Sequence, residues 1–361
     1  MPAPLNLRAF EPYAREKLLP MVYGYYAGGA NDEHTLRANE TAFDDITLYP
    51  RMLRGASERS LETIVLGKKF QTPLFIAPMA LQRMAHPDGE LAMTRAANAH
   101  SVGMVLSTMS SVALEDVASV AGDAPLWFQL YVYKDREVVR DMVQRAEASG
   151  YSALVLTVDT PLLGRREKDI ELGFHLPDGV KAANLKDDYF SDVNKADNDS
   201  ALAKYWREIL REGGLTWRDV DWLASITTMP ILLKGILRAD DARLAQEHGA
   251  RGIIVSNHGG RQLDGAPASI RALPAIVASV GGQMDVLVDG GVRRGTDVLK
   301  ALALGAKGVL LGRPMLWALA YDGQAGVELA LRLLLDEIDL AMALCGCKTL
   351  TEVDAGLLVA G

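Results

Sequence analysis

The chain has 361 residues, is 49% hydrophobic and carries 33 glycines, which suits one large α/β barrel or two ordinary domains with many tight turns. A formal net charge of -8 argues against nucleic acid as the main partner, although a few local cations can still take an anionic substrate. Cys345 and Cys347 are too few and too close for a disulfide framework, and no apolar run is long enough to span a membrane. Met1 to Gly29 lacks a signal-peptide core, and the closing Leu-Leu-Val-Ala-Gly is no peroxisomal address, so a reduced, cytoplasmic setting is expected.

Residues 1–72 read as a helical and irregular lead-in. Asn6 to Leu19 has helical spacing of Leu, Phe and Tyr, and Pro20 then interrupts. Three tyrosines and three glycines follow between Met21 and Gly29, mostly as packing against a barrel mouth. Asn31 or Asp32 is the expected N-cap of a helix ending near Phe43.

From there short apolar runs alternate with amphipathic ones. The expected strands are Pro73 to Ala77, Gly103 to Ser107, Leu126 to Tyr131, Ala153 to Asp159, Ile231 to Gly235, Gly252 to Asn257, Asp285 to Asp289 and Gly308 to Gly312. Between them lie helical patterns such as Gly89 to His100, Val112 to Val120, Arg136 to Ala148, Ala239 to His248 and Gly295 to Leu304. Eight strands alternating with helices predict a (β/α)₈ TIM barrel over 73–345, with 1–361 forming a single domain. A doubly wound sheet is the alternative, but no strand is followed by G-x-G-x-x-G. The long connection after the fourth strand, 160–230, includes a polar stretch from Lys186 to Ser200. It reads either as a lid over the site or as a disordered decoration.

In such a barrel the carboxyl ends of all strands meet at one face. The side chains expected there are Ser107, Gln129, Tyr131, Thr157, Asp159, Lys234, Ser256, His258, Asp289 and Arg313. The densest stretch is Ser256-Asn257-His258-Gly259-Gly260-Arg261-Gln262-Leu263-Asp264. His258 can move a proton near neutral pH, Arg261 offers a planar fork for a carboxylate, and the glycines let both face one point. Read alone, the stretch is also compatible with a surface turn holding an incidental histidine. Asp159 could orient the His258 ring. Lys234 could be one half of a structural ion pair, a Schiff-base amine or a counter-charge for an anionic cofactor. After the last two strands, Asp289-Gly290-Gly291-Val292-Arg293 and Gly312-Arg313 lead into helices, the usual place for a phosphate in a barrel. No metal site is expected.

These motifs, seconded by Gln129-Leu130-Tyr131 and Thr157-Val158-Asp159-Thr160-Pro161, closely resemble the FMN-dependent L-2-hydroxy acid oxidising family. That family includes glycolate oxidase, lactate oxidase, lactate monooxygenase, mandelate dehydrogenase and flavocytochrome b2, and the likeness runs from about Tyr13 to the C-terminal helix. The resemblance implies FMN as cofactor. It implies His258 as the base on the substrate 2-hydroxyl, with Asp159 holding the imidazolium. Tyr25 and Arg261 would bind the substrate carboxylate, Arg166 would assist, and Tyr131 would hydrogen-bond the 2-oxygen. Lys234 would sit at the flavin edge where negative charge collects on reduction. Ala77, Pro78, Met79 and Ala80, with Ser107, Gln129, Thr157 and Ser256, would cradle the ring and ribityl chain. Asp289, Gly290, Gly291, Arg293, Gly312 and Arg313 would hold the ribityl hydroxyls and phosphate.

Two positions depart from the plant glycolate oxidase pattern: Met79 stands where those have Thr, and Met109 where they have Trp in the pocket wall. A less rigid wall suits a slightly larger substrate. The resemblance therefore implies oxidation of a small L-2-hydroxy acid, L-lactate to pyruvate first, with O2 giving H2O2 and the protein a homotetramer. Glycolate or mandelate-type oxidation is the alternative within the family. A Schiff-base aldolase using Lys234 and a catalytically silent flavoprotein are the readings outside it. No haem domain or membrane segment is present in the sequence, so flavocytochrome b2 and membrane dehydrogenases are poor models.

Overall fold

The computed structural model describes residues 2–55, 57–185 and 214–359. The stretch Lys186 to Ser200, read above as a lid or decoration, lies outside the described residues.

The lead-in opens with a 3-10 turn, Leu7–Phe10, whose N-cap Asn6 accepts the Ala9 N–H at 3.2 Å. Helices Glu11–Lys17 and Pro20–Ala27 follow. Pro20 ends the first and, with its fixed φ, starts the second from its N-terminal position. The Tyr-Gly stretch is therefore helical, which the sequence did not announce. The next helix, His34–Thr41, has neither Asn31 nor Asp32 as its cap. Glu33 holds that place in a left-handed conformation (φ 60°), and Asp264, far along the chain, accepts the Thr35 N–H at 2.8 Å.

An antiparallel hairpin, β1 (Thr63–Val65) and β2 (Lys68–Phe70), closes the lead-in, where only helical and irregular structure was expected. It is too short for alternation to register. Eight parallel strands then close a barrel in sequence order: β3 (Leu74–Ile76), β4 (Gly103–Leu106), β5 (Leu126–Leu130), β6 (Leu154–Thr157), β7 (Ile231–Ile236), β8 (Gly252–Val255), β9 (Asp285–Asp289) and β10 (Gly308–Leu311), with β10 pairing β3. All eight expected strands form, and most end a residue or two early because their polar tips turn out into loops.

Side chains alternate along a strand, so every second residue points into the barrel. Phe75, Val105, Trp127, Val155, Leu232, Ile254, Leu287 and Leu310, one per strand, form the inner core with Val65 and Phe70 of the hairpin. The hairpin thus plugs one end of the barrel: the Phe70 ring lies 5.1 Å from Phe75 and 6.1 Å from Trp127. Burying one such side chain contributes roughly 1.5–3 kcal/mol. Two residues further along each strand, the same inward rule delivers Ala77, Ser107, Gln129, Thr157, Lys234, Ser256, Asp289 and Gly312. The apolar plug is therefore overlaid by a polar layer at the carboxyl ends.

The outer layer includes helices Gly89–Ala99, Leu114–Ser119, Arg136–Ala148, Ala239–Glu247, Ser269–Val280, Gly295–Ala303 and Arg313–Cys345. The last breaks its helical geometry at Asp322 and Gly323. Among the described residues, no helix is long and apolar enough to cross a membrane.

Candidate active site

The polar layer floors one cleft of about 1270 Å³ of non-protein space, its open mouth included. Its wall is shaped first by the loop after β8. His258, Gly259 and Gly260 take φ of 58°, 64° and 74°, three left-handed residues in succession. A side chain at Gly260 would also meet the Leu36 backbone N at 2.5 Å. The Asn257 side chain pins this turn by accepting the Gly260 N–H at 3.0 Å. It also exchanges two amide hydrogen bonds with buried Asn39, at 2.8 and 2.7 Å. A histidine held at positive φ is a strained placement of the kind that collects at functional sites.

The turn brings His258 Nδ1 to 2.8 Å from Asp159 Oδ1, with Thr160 Oγ1 donating to the same oxygen at 3.0 Å. A carboxylate there accepts Nδ1–H and leaves Nε2 as the basic nitrogen. Burial works against the Asp159 charge, but His258 and Lys234 overcome it and hold the carboxyl below its usual range. Burial pushes the His258 pKa down, with Lys234 and Arg166 adding to the effect; Asp159 only partly restores it. The ring is therefore neutral and able to accept a proton at neutral pH.

Lys234 lies on the floor, 4% exposed. Its Nζ donates to Ser256 Oγ at 2.8 Å and pairs with Asp289 Oδ2 at 2.8 Å. Burial lowers its pKa, yet Asp289 and Asp159 more than compensate, so it stays an ammonium. Beside it, Gln129 links the layer: it accepts from Ser107 Oγ at 3.3 Å and Thr108 N at 3.1 Å, and donates to Thr157 Oγ1 at 3.0 Å.

Four arginines face the same space. Arg261 donates to the carbonyls of Tyr25 and Gly28, both at 2.7 Å, and its guanidinium lies 5.2 Å from the Tyr25 ring centre. Arg313 donates to Tyr26, Gly259 and Gly28 carbonyls at 2.9, 3.0 and 2.9 Å. Arg293 pairs with Glu40 at 2.7 Å, and Arg166 has a buried Nε with no hydrogen-bond partner. Burial and then the neighbouring guanidinium of Arg166 bring Arg261 down to about 10; burial, Arg261 and Arg293 bring Arg313 down to about 9. Such a cluster is built to receive anions.

The site residues expected from sequence converge on this cleft: Tyr25, Ala77, Pro78, Met79, Ala80, Ser107, Met109, Gln129, Tyr131, Thr157, Arg166, Lys234, His258, Arg261, Asp289, Gly290, Gly291, Arg293, Gly312 and Arg313 all line it. Two stand one layer back. Asp159 reaches the cleft only through His258, and Ser256, fully buried, accepts from Lys234 Nζ and from His258 N at 3.0 Å instead of lining the wall. Of the three lead-in tyrosines, Tyr25 and Tyr26 border the cleft, Tyr26 with its hydroxyl turned to the Leu81 carbonyl at 2.7 Å. Sequence reasoning missed Asn39, Glu40 and Leu163 on the wall, and Gln262, which donates to the Asp159 and Leu162 carbonyls at 2.8 Å each. Gln262 and Asn257 belong to the motif already singled out, and their amides were the only signal. Asn39 and Glu40 carried none, because Asn257 and Arg293, their partners at the cleft, lie more than two hundred residues away.

With this geometry in view, three comparisons bear on the chain. The sequence profile described as FMN-dependent dehydrogenase matches residues 14–360. An L-lactate oxidase of Nostoc sp. is 51% identical over 359 residues, covering 99% of this chain and 98% of the relative. Glycolate oxidase 3 of Arabidopsis thaliana is 52% identical over 348 residues, covering 96% and 94%. Among solved structures, a mandelate oxidase with (S)-4-hydroxymandelic acid aligns over 97% of each chain with a TM-score of 0.93 and 44% identity.

Proposed function

The chain belongs to the FMN-dependent dehydrogenase family, and we propose that it oxidises a small L-2-hydroxy acid, L-lactate before glycolate, to the 2-keto acid, with O2 reduced to H2O2. The observation that carries this reading is the neutral His258 ring, backed by the Asp159 carboxylate and facing the same cleft as Arg261 and Arg166. A base and a carboxylate grip in one space are what removal of a proton from a hydroxy acid requires.

FMN, when bound, supplies the two-electron acceptor. The residues fit such a group. Asp289 Oδ1 is buried without a hydrogen-bond partner, as a carboxylate awaiting a polyol would be. Lys234 is a fixed buried cation beside it. A Cβ at Gly291, where φ is 86°, would run into the Asn39 carbonyl, so the loop stays as bare backbone near Arg293 and Arg313. Asp289, Gly291, Arg293, Gly312 and Arg313 would hold the ribityl chain and phosphate, while Ala77 to Ala80, Ser107, Gln129, Thr157 and Lys234 would hold the ring. In this assignment Ser256 acts by fixing Lys234.

For the substrate, Arg261 and Tyr25 hold the carboxylate with Arg166 assisting, Tyr131 bonds the 2-oxygen, and His258 Nε2 takes the hydroxyl proton. Asp159 then stabilises the charged ring. Met79 and Met109 border the remaining substituent. The aldolase reading loses its support, because a Schiff-base lysine needs a lowered pKa and Lys234 has a raised one. Our proposal also carries one functional unit over 1–361, a cytoplasmic location and a homotetramer.

The test is an anaerobic visible spectrum of the purified protein before and after L-lactate, with mass analysis of the released flavin. Bleaching by lactate and release of FMN are expected. Protein that carries FMN but bleaches with none of lactate, glycolate and mandelate would overturn the catalytic reading.

A further inference from the structure

Asp169 is a buried carboxylate that the proposed reaction does not use. It is 3% exposed, and its Oδ1 is buried without a hydrogen-bond partner. It lies on the short helix Glu167–Glu171, which packs against Pro20–Ala27, the helix of Tyr25. Its backbone N–H donates to the Arg166 carbonyl at 3.1 Å, and its own carbonyl accepts from Phe174 N at 2.8 Å. The Phe174 ring in turn stacks on Tyr25 at 4.3 Å. Asp169 is thus built into the wall that carries the carboxylate grip.

Burial raises the Asp169 pKa, the guanidiniums of Arg261 and Arg166 oppose that shift, and Asp169 acts back on Arg261. Among the described residues no ion pair joins Asp169 to either arginine, and its Oδ1 has no hydrogen-bond partner. In its ionised form it lends the pair negative potential without occupying their donors. Two guanidiniums facing one cleft repel each other, and an anion nearby offsets that repulsion.

We propose that Asp169 is a standing counter-charge that acts through Arg166 and Arg261 to limit how tightly the cleft holds a carboxylate. Substrate and 2-keto product are both carboxylates, so a stronger grip tightens both alike. Such uniform binding lowers KM and slows release without raising kcat. Asp169 keeps the grip loose enough to turn over. This inference rests on the reading of Arg261 and Arg166 as the substrate-carboxylate grip.

The experiment titrates the FMN-loaded protein with oxalate, a carboxylate with no hydrogen to give up, at pH 8, following the perturbation of the flavin spectrum. Asp169→Asn should lower the oxalate Kd by about fivefold or more, the size expected for one partly screened charge at close range. It should lower KM for the hydroxy acid in the same direction and leave kcat unchanged or reduced. Asp169→Glu, which keeps the charge, should stay near the parent. Damage to the site loosens binding, so a gain in affinity separates this role from a structural one. An oxalate Kd that is unchanged or weaker in Asp169→Asn overturns the proposal. If that variant fails to take up flavin, Asp169→Ser replaces it, and failure of both shows a structural need that overturns charge tuning. A parent that binds no oxalate at all overturns the carboxylate grip, and this inference with it.

Discussion

His258 combines a left-handed backbone with a half-buried, neutral ring, and both are costs that only a function repays. His258→Gln should keep its flavin, since the ring does not hold Lys234 or the arginines, yet lose turnover by ~10²-fold or more. Near-normal flavin reduction by lactate in that variant would remove His258 from the mechanism. Its lowered pKa sets the sign of the pH dependence. The base is competent when deprotonated, so kcat/KM should hold at neutral pH and fall only as pH drops through a value below 6.5. Because Asp159 is what pulls that value up, Asp159→Asn should move the acid limb lower while reducing the rate. An acid limb above 6.5 in the parent would contradict this reading. Met109 offers a further residue-scale test. It is 2% exposed and lies with its sulfur 4.0 Å from the Tyr133 hydroxyl. Filling its place with Trp should remove the space for a methyl group. One methyl against such a wall is worth ~1–3 kcal/mol, or roughly 10- to 200-fold in specificity. Steady-state peroxide production should show L-lactate preferred in the parent and that preference shrunk or reversed in Met109→Trp. An unchanged ratio would assign the wall to other residues.

Elements separate stability from chemistry along the barrel axis. The hairpin β1–β2 plugs the end away from the cleft, so Phe70→Ala should cost ~3–5 kcal/mol while leaving the kcat of the folded enzyme near the parent value. Urea unfolding and turnover measured on the same preparation decide this, and a comparable loss in both would show that the plug reaches the site. Gly291→Ala should do the reverse. It places a side chain at φ 86° against the Asn39 carbonyl, and should loosen FMN beyond the ~1–3 kcal/mol of local strain. The difference follows what could be read from sequence. Strands such as Leu154–Thr157 and Gly252–Val255 are unbroken apolar runs, and a period of two from Val155 or Ile254 points at Thr157 or Ser256 without coordinates. A three-residue hairpin has no period to read. Pro20 looks like a stop although it is also a start, and helix Ser269–Val280 carries Pro274 within it. The Tyr25, Tyr26 and Gly28 carbonyls that hold Arg261 and Arg313, and the Asn39–Asn257 exchange, join residues more than two hundred positions apart. Side-chain identity says nothing of such partners.

The whole molecule carries a net charge of -8 yet gathers Arg166, Arg261, Arg293 and Arg313 around one cleft. In Arg261 and Arg313, at about 10 and about 9, the folded values lie below the unfolded value of 12.5. The folded state therefore binds these protons less willingly than the unfolded chain, and at neutral pH, where both stay charged, the two guanidiniums by themselves work against folding. An anion seated among them reverses that cost, because it favours the charged guanidiniums. Cofactor binding should then stabilise the fold largely through its phosphate. Protein stripped of flavin should show a Tm raised several degrees by FMN. A ligand at a hundred times its Kd adds ~2.7 kcal/mol, at roughly 2–4 °C per kcal/mol for a chain of this order. Riboflavin, with the same ring and ribityl chain but no phosphate, should raise it much less at equal concentration. Inorganic phosphate alone should recover part of the difference, and Arg313→Met should narrow the gap between the two flavins. Riboflavin stabilising the parent as well as FMN does would mean that the arginines serve the substrate alone and that the loops after β9 and β10 hold no phosphate.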